Sequence, residues 1–598
     1  MSDTMSDPRS TVETVAQLPR SAAERFGEQT AARHRLGSEW LQLTYAEAGT
    51  AIEEIALGLA ALGIEPGDRV AILADTRLEW TLASYGISSA GAVVVPVYPT
   101  SSASECVWVL GDSGTRAIVC ESAAQVAKIR AVASQLSELR HVICMEAGAG
   151  ELTLDGLRDR GAAEDRTELA DRRAAVSPQD IYTIIYTSGT TGPPKGVVLT
   201  HRNAISVCEM VKELAFISPG ETTYLFLPLA HAFALTAQLA SYDLGTSIVY
   251  WGGDSTQILA ELIETKPTYL PSVPRIFEKL YTAAMKLQDG VDEEARSRFA
   301  AAVKVGVQVR GMRARGEPVP AELEHIFEQA AELLYGRVSG LFGGQIIQAV
   351  TGAAPIAPEI LEFFYACGVP VLEGWGMTET TAVGTVATLA HFKFGTVGRP
   401  LPGIEIRIAD EDSEILVRGP NVFREYWRNP EATAATLADG WLHTGDLGSL
   451  DEDGFLSITG RKKDIIITAG GKNLTPSNIE NDLKQSRFIS QAVMHGDRRP
   501  FPVALITLDE EEIVPWAAER GLPSEIAQLA HHEQVRALID AELARANAAY
   551  AQVEQIKRFV ILDRDLTVAD GELTPTLKVK RAVVNERFAA LLDSLYDS

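Results

Sequence analysis

The stretch over residues 184–196 constrains the chain more than any other. An apolar, β-prone run, Ile184-Ile185-Tyr186, passes directly into Thr187-Ser188-Gly189-Thr190-Thr191-Gly192-Pro193-Pro194-Lys195-Gly196. Those ten residues hold three glycines, three threonines, a serine and a lysine. Glycine carries no Cβ, so backbone of this kind can turn sharply and approach a ligand closely. Its N–H groups and hydroxyls can surround phosphate oxygens, and Lys195 adds a positive charge. The string departs from the G-x-x-x-x-G-K-[ST] phosphate loop, because Lys195 is followed by Gly196 and the glycine spacing differs. Taken alone, it reads equally well as a surface turn. The rest of the chain has to decide.

Length and charge narrow the setting. At 598 residues with 46% hydrophobic content, the chain is long for one domain and can build large cores. Lys and Arg number 54 against 80 Asp and Glu, a net charge of −26. That balance argues against nucleic-acid binding, which needs a basic surface, but leaves room for a locally basic pocket. The cysteines Cys106, Cys120, Cys144, Cys208 and Cys367 are scattered and show no metal-ligand spacing. They predict no disulfide framework and a reducing compartment. The N-terminus carries Asp3, Asp7 and Glu13 with no apolar signal-peptide core, and the apolar run at 92–97 is too short to span a bilayer. The expectation is a cytoplasmic protein without a transmembrane segment. Weak peripheral membrane contact and the oligomeric state stay open.

Along the chain, helix and strand patterns alternate. Ile52, Ile55, Ala56, Leu59 and Leu62 share one helical face, Gly63 ends the helix and Pro66-Gly67-Asp68 turns. The strand Val70-Ala71-Ile72-Leu73, a helix near 79–90 and a strand at 92–97 follow, which predicts parallel α/β units. Residues 148–180 read as surface helix and connection. A helix is expected over 203–212, a strand over 224–231 ending at a loop, and strands at 247–250 and 268–270. Residues 274–341 are mostly helical and highly charged, either an exposed excursion or a segment serving substrate access. Strand alternation over 404–417 and a hairpin over 442–459, turning at Asp451-Glu452-Asp453-Gly454, complete the body. After Gly460-Arg461-Lys462-Lys463-Asp464, short strands and a long Ala/Glu-rich helix at 524–549 suffice for a small α+β domain. The fold class is α/β, with a large N-terminal body of several subdomains over 1–462 and a small α+β domain over 463–598.

Four more strings carry chemistry: Thr351-Gly352-Ala353-Ala354-Pro355, Glu373-Gly374-Trp375-Gly376-Met377-Thr378-Glu379-Thr380, Trp441-Leu442-His443-Thr444-Gly445-Asp446-Leu447-Gly448, and Gly571-Glu572-Leu573-Thr574-Pro575-Thr576-Leu577-Lys578-Val579-Lys580-Arg581. With the glycine-rich loop, they resemble the motifs of adenylate-forming enzymes, a group holding acyl-CoA synthetases, peptide-synthetase adenylation domains and luciferases. The resemblance covers about residues 40–585. It is strongest to bacterial long-chain fatty-acid–CoA ligases, through Val273-Pro274-Arg275-Ile276-Phe277-Glu278-Lys279, the helical passage after it and the ending at 574–581.

The resemblance implies a reaction and assigns its parts. A long-chain fatty acid and ATP would give acyl-AMP and pyrophosphate, and coenzyme A would then give acyl-CoA and AMP. Thr187, Ser188, Gly189, Thr190, Thr191, Gly192 and Lys195 would meet the phosphates. Thr187 and Glu379 would hold Mg2+. Gly352, Ala353 and Ala354 would lie against the adenine, with Ala353 standing where relatives often carry glycine. Glu373, Gly374, Trp375, Gly376, Met377 and Thr378 would form the next nucleotide segment, with Trp375 covering the adenine where tyrosine is usual. Asp446 would accept the ribose hydroxyls, and Arg461 would be the second ribose contact. His231 would sit at the acyl-carboxylate and thiol channel as a positioning group. Lys578 would be the adenylation lysine, with Lys580 the alternative. Lys463 would be the hinge of a mobile C-terminal domain that brings Gly470 and Gly471 to the thiol channel.

Two rival readings remain. An acyl-AMP ligase that loads a carrier protein would carry an extra insertion, and none is apparent between Glu379 and Asp446. A catalytically silent nucleotide or lipid binder would not need Lys195, Glu379, Asp446 and Lys578 together.

Overall fold

The computed structural model describes residues 12–146, 152–187, 193–286, 293–469, 472–574 and 578–597. The strand Ile181–Thr187 runs up to the glycine-rich loop, and the chain returns antiparallel along Lys195–Thr200 with Thr187 opposite Lys195. Ser188, Gly189, Thr190, Thr191 and Gly192, and likewise Gly470 and Gly471, lie outside the described residues.

Among the described residues this hairpin belongs to an eight-stranded sheet. Its middle strands, Val93–Val97, Arg69–Leu73, Thr115–Cys120 and His141–Cys144, pair in parallel, as the helix–strand alternation predicts. A nine-stranded sheet holds Ser247–Tyr250, Thr222–Leu225, Tyr269–Ser272, Gln348–Thr351 and Val371–Trp375, again parallel. The largest apolar core draws side chains from both sheets. Two helices run through it, Leu78–Ser89, buried at every residue but Glu79, and Ala232–Asp243, buried at every residue but Phe233. A helix enclosed on all sides needs no polar stripe, which is why neither shows a clean amphipathic face.

The period-two alternation of strands divides the nine-stranded sheet between two cores. Leu225, Ile248 and Tyr250 face the first, while Tyr224, Val249 and Leu270 face a second. That second core explains the passage at 274–341. The helices Pro274–Lys286, Glu293–Ala314 and Ala321–Ala330 cover the sheet's other face around Phe277, Phe342, Phe363 and Phe364. The described helices of the passage are therefore packed along one face on the second core, with the opposite face exposed.

Three other expectations need correction. The strand expected over 224–231 ends at Leu225. Pro228 has no N–H for a ladder, and the Thr76 hydroxyl takes over by donating to the Leu227 carbonyl at 2.6 Å and accepting from the Leu229 N–H at 3.0 Å. The helix expected over 524–549 is two, Ile526–Ala530 and Glu533–Asn547, because His532 caps the second by accepting from the Gln534 N–H. Within the stretch expected as surface, 148–180, the described residues from 152 onward do more than cover the surface. Leu154, Leu157 and Leu169 are buried, and the helix Leu154–Ala162 lies directly on Tyr45–Ala61. A Cβ on Gly161 would stand 1.8 Å from the Glu54 carbonyl oxygen, so only glycine allows that approach.

Antiparallel strands over 405–461 form a further sheet, in which Trp441–Leu450 pairs with Leu456–Arg461 across the expected turn. Beyond it, the three-stranded sheet of Ile489–His495, Val503–Leu508 and Arg558–Ile561 divides its side chains between two apolar clusters of its own. Lys279 meets Glu511 at 2.8 Å, and Arg275 pairs with Asp509, linking the body to this C-terminal part. Among the described residues, no helix is long and apolar enough to cross a membrane.

His201 ties the N-terminal segment to the core. Its Nδ1 accepts from the Val15 N–H at 3.1 Å, its ring is 2% exposed, and burial pushes its pKa down to about 4. The unfolded chain therefore takes up a proton near pH 6.5 that the folded chain refuses until about pH 4. This contribution is fully present above pH 6.5 and is lost as pH falls toward 4, on the order of 3 kcal/mol if the whole shift is realised. Asparagine at 201 keeps an acceptor in place of Nδ1 but does not titrate. His201→Asn should lose less denaturation midpoint between pH 7 and pH 5 than the parent protein. An equal loss would exclude His201 as a source of the acid sensitivity.

Candidate functional site

A cavity of about 870 Å³ opens where parallel strands of both large sheets end. Val97 and Thr187 border it from the first sheet, and Thr351 and Trp375 from the second. Crevices beyond the carboxyl ends of parallel strands are the common ligand sites of α/β folds. Lys195 borders it directly opposite Thr187.

The second sheet supplies two loops. Gly352 and Ala353 border the cavity, whereas Ala354 is exposed and outside its lining. Ala353 has φ +68°, the left-handed region. That explains why glycine suits this position, and the methyl adds a backbone cost of about 1–2 kcal/mol besides any tightening of the pocket. Gly374, Trp375, Gly376, Met377, Thr378 and Glu379 also line the cavity, and Glu373 does not. Burial pushes the Glu373 carboxyl up to about 8, so it is largely protonated at neutral pH.

The loop after Trp375 is folded tightly on itself. A Cβ on Gly376 would stand 2.1 Å from the Ala382 carbonyl oxygen, and Thr381 and Ala382 have φ of +52° and +72°. A segment absent from the sequence assignment holds it. The buried Asn421 side chain donates to the carbonyls of Thr380 at 2.9 Å and Val383 at 2.6 Å. The Phe423 N–H donates to the Glu379 carbonyl at 2.8 Å, and the Tyr426 hydroxyl donates to Glu379 Oε1 at 2.6 Å. Gly419-Pro420 before Asn421 signals only a turn, and Tyr426 sits among the surface charges Arg424, Glu425 and Arg428, so nothing local marks these residues as partners of the Glu379 loop. Glu379 is 7% exposed, and burial raises its pKa against the opposing Tyr426 hydrogen bond.

The donor set fits a magnesium ion. Tyr426 takes one Glu379 oxygen and leaves Oε2 for a cation, and Thr187 lies at the same cavity. Among the described residues, no three His, Cys, Asp or Glu side chains cluster as a metal cage. Magnesium keeps several waters and is commonly held by one or two carboxylates with substrate phosphates, so no such cage is required.

At the other end Arg461 borders the cavity, its partner Asp446 is buried and outside the lining, and strand register makes the ion pair. Asp446 stands opposite Arg461 in the antiparallel ladder, and Arg461 Nε donates to Asp446 Oδ1 at 2.7 Å. Trp375 Nε1 donates to Asp446 Oδ2 at 2.9 Å. The indole at the usual tyrosine position thus orients the acid expected to meet the ribose. Lys463 follows in a short turn, Lys462–Asp464, and borders the cavity.

His231 caps the helix Ala232–Asp243. Its Nδ1 accepts from the Phe233 N–H at 3.2 Å, so in the neutral ring the proton is on Nε2. Burial, then the Lys578 charge, pushes its pKa down to about 4. His231 lines the cavity, and at neutral pH its free Nε2–H makes it a donor and not a base. Beyond it the lining turns apolar, with Leu214, Phe216, Ile217, Tyr269 and Val350.

Lys578 and Lys580 both border the cavity. Lys578 is open to the cavity space yet enclosed by surrounding protein. That enclosure, followed by the charge of Arg461, lowers its pKa while Asp446 opposes. Its backbone is clasped to Thr574, which accepts the Lys578 N–H at its hydroxyl and donates its own N–H to the Lys578 carbonyl. Lys580 stands at the start of the helix Arg581–Arg587 and donates its N–H to the Glu572 carbonyl. Glu572 is fully buried, and hydrogen bonds from Arg564, then Arg587, bring its pKa down to about 2. The sequence assignment did not single out this acid, which fixes the base of the lysine loop.

Comparisons with known proteins show the family and the fold. The AMP-binding enzyme family matches residues 19–427, and the AMP-binding enzyme C-terminal domain matches 463–598. The chain is 40% identical over 564 residues to long-chain-fatty-acid–CoA ligase FadD15 of Mycobacterium tuberculosis, covering 93% of each. It is similar in fold to the adenylation domain of a carboxylate reductase from Mycobacterium chelonae, with TM-score 0.76, 20% identity and coverage of 99% of this chain and 92% of that one. A fatty acyl CoA synthetase of Mycobacterium tuberculosis gives TM-score 0.62 at 23% identity, with 97% and 99% covered.

Two substitutions separate the roles of His231. Alanine removes both the cap and the Nε2 donor. Asparagine keeps an acceptor near Nδ1 and lacks the donor. His231→Ala should lose about 1 kcal/mol of stability and His231→Asn little. Both should slow ATP-dependent pyrophosphate release. Recovery of the full rate by asparagine would reduce His231 to a helix cap.

Proposed function

The chain belongs to the AMP-binding enzyme family, and we propose that it joins a long-chain fatty acid to coenzyme A in two steps at the one cavity. The observation that carries this is a single lining shared by Lys195, Glu379, Arg461, His231 and Lys578, continuous with an apolar arm past Leu214, Phe216 and Tyr269. The arm suits an acyl chain, and the charged part suits a nucleotide triphosphate.

In the first step a carboxylate oxygen of the fatty acid attacks the α-phosphorus of ATP. The bond to the β-phosphate oxygen breaks, and pyrophosphate leaves. Lys195 and the glycine-rich loop bear on the phosphates, and Asp446 with Arg461 holds the ribose. Thr187 and Glu379 would hold Mg2+, which when bound supplies positive charge against the phosphate oxygens. Lys578 meets the charge that grows on the α-phosphate, so it favours the transition state over the ground state. In the second step the thiol sulfur of coenzyme A attacks the acyl carbon, the bond to AMP oxygen breaks, and the thiol proton passes to solvent. His231 positions the carboxylate through Nε2–H.

The reading includes a division at residue 463 and a small domain that turns about Lys463 between steps. Support comes from the C-terminal apolar clusters, which among the described residues contain nothing before Ile466. It also includes a cytoplasmic setting, which five buried free cysteines suit. Pyrophosphate release with a fatty-acid panel, followed by addition of coenzyme A or carrier protein, tests the whole. Acyl transfer to carrier protein alone would favour the acyl-AMP ligase, and no pyrophosphate at all would favour a silent binder.

Two variants test the division of labour. Lys578→Ala should slow acyl-AMP formation on the order of 10²–10³ while still converting supplied acyl-AMP and coenzyme A. The same split in Lys580→Ala, with Lys578→Ala normal, would move the role to Lys580. Proline at 463 restricts the preceding residue as well as itself. Lys463→Pro should therefore slow thioester formation from supplied acyl-AMP far more than adenylation. Equal loss of both steps would count against a hinge there.

A further inference from the structure

We infer that Tyr426 is a positioning residue with two separable arms, its hydroxyl aiming the Glu379 carboxylate and its ring seating the Lys195 ammonium. This rests on the magnesium and phosphate roles proposed above for those two residues. The hydroxyl donates to Glu379 Oε1 at 2.6 Å, and Lys195 Nζ stands 5.1 Å from the ring centroid.

The two groups come from different sheets. Lys195 opens the strand Lys195–Thr200 of the eight-stranded sheet, and Glu379 lies on the loop beyond Val371–Trp375 of the nine-stranded sheet. Tyr426 is fastened to the first. It pairs antiparallel with Val197, and the next residue, Trp427, donates its N–H to the Gly196 carbonyl at 2.7 Å. Its own N–H donates to the Thr433 hydroxyl at 3.0 Å, and its ring packs on Phe423 at 4.8 Å. At 7% exposure it has little freedom. Its side chain then reaches across to the second sheet's carboxylate, so one residue fixes the spacing between the two charges.

The chemistry of the link matters as much as its geometry. Lys195 and Glu379 have opposite charges, and in direct contact each would neutralise the other. A neutral side chain between them satisfies both without doing so. A phenol donates one hydrogen bond to Oε1 and takes no proton from the carboxylate, so Oε2 is not engaged by it. An aromatic face attracts an ammonium through its quadrupole and leaves the N–H donors free for phosphate. Outer partners of this kind commonly set metal affinity by 10–100-fold.

Phenylalanine at 426 keeps the ring and deletes the hydroxyl, and leucine deletes both. Binding of Mn2+ in the presence of ATP, followed by electron paramagnetic resonance, reads the first arm without turnover. Binding of ATP in EDTA reads the second. Tyr426→Phe should weaken Mn2+ binding about tenfold while leaving ATP binding in EDTA unchanged. Tyr426→Leu should weaken both. In a Glu379→Gln background, Tyr426→Phe should add nothing to the Mn2+ loss. Thermal midpoints of all variants identify any that are misfolded, and Tyr426→Phe with parental stability carries the test. Parental Mn2+ binding in Tyr426→Phe, with Glu379→Gln impaired, overturns the hydroxyl arm. Equal ATP affinity of the Phe and Leu variants in EDTA overturns the ring arm. Parental Mn2+ binding in Glu379→Gln instead overturns the magnesium reading on which this rests.

Discussion

The carboxylate of Asp446 is the point on which the rest of the site depends. It sits where three parts of the chain converge. The neighbouring strand gives it Arg461 through register, the second large sheet gives it the Trp375 N–H, and Lys578 of the C-terminal part stands within its field. The acid is what lets two cations approach each other there. Arg461 and Lys578 repel, which helps lower the Lys578 pKa, and Asp446 offsets part of that cost. The net charge of −26 thus conceals a pocket in which Lys195, Arg461, Lys463 and Lys578 face a few buried or paired acids. Concave walls concentrate such a local field, and a polyphosphate is the natural complement to it.

Holding those charges takes backbone the chain would not otherwise adopt. Ala353, Thr381 and Ala382 all have positive φ, and each borders the cavity or the loop carrying Glu379. Left-handed residues other than glycine are expensive and persist only where their surroundings over-determine them. Here Asn421 does much of this. It is fully buried and donates two hydrogen bonds into the strained loop, while its carbonyl accepts from the Thr381 hydroxyl. The same segment continues to Phe423 and Tyr426, so one short piece of chain both braces the loop and orients its acid.

Much of this architecture was legible in the sequence, and what was not has a physical reason. Parallel α/β units follow from alternating apolar runs, and the cavity motifs are contiguous loops whose glycines and hydroxyls mark themselves. The clamp at Asn421 and Tyr426 could not be read that way, because its partners are about 40 positions away and its residue types are ordinary. The helix Pro274–Lys286 shows its buried face in the spacing of Phe277, Leu280 and Ala284, but what that face covers could not be read, since the second core exists only once Tyr224, Val249 and Leu270 turn outward from their sheet. The broken helix at His531 and His532 was hidden by its good helix formers on both sides, and only the cap reveals the break. Near the end of the chain, two lysines two positions apart look alike in sequence. The Thr574 clasp and the buried Glu572 distinguish them, by tying one back to Thr574 and setting the other at a helix start.

The way the C-terminal part is attached bears on the two-step chemistry. Its stability comes from within, from apolar clusters on both faces of its three-stranded sheet. Its ties to the body include Arg275 with Asp509 and Lys279 with Glu511, and both basic side chains are substantially exposed. Ion pairs in that setting contribute roughly 0–1 kcal/mol each and are screened by salt. An extended apolar interface would lock Lys578 in the cavity and leave no route to a second arrangement. The two ion pairs orient the C-terminal part through basic side chains that stay substantially in solvent. Such contacts accord with the two-step reading proposed above, in which Lys578 serves the first step and then leaves room for a thiol.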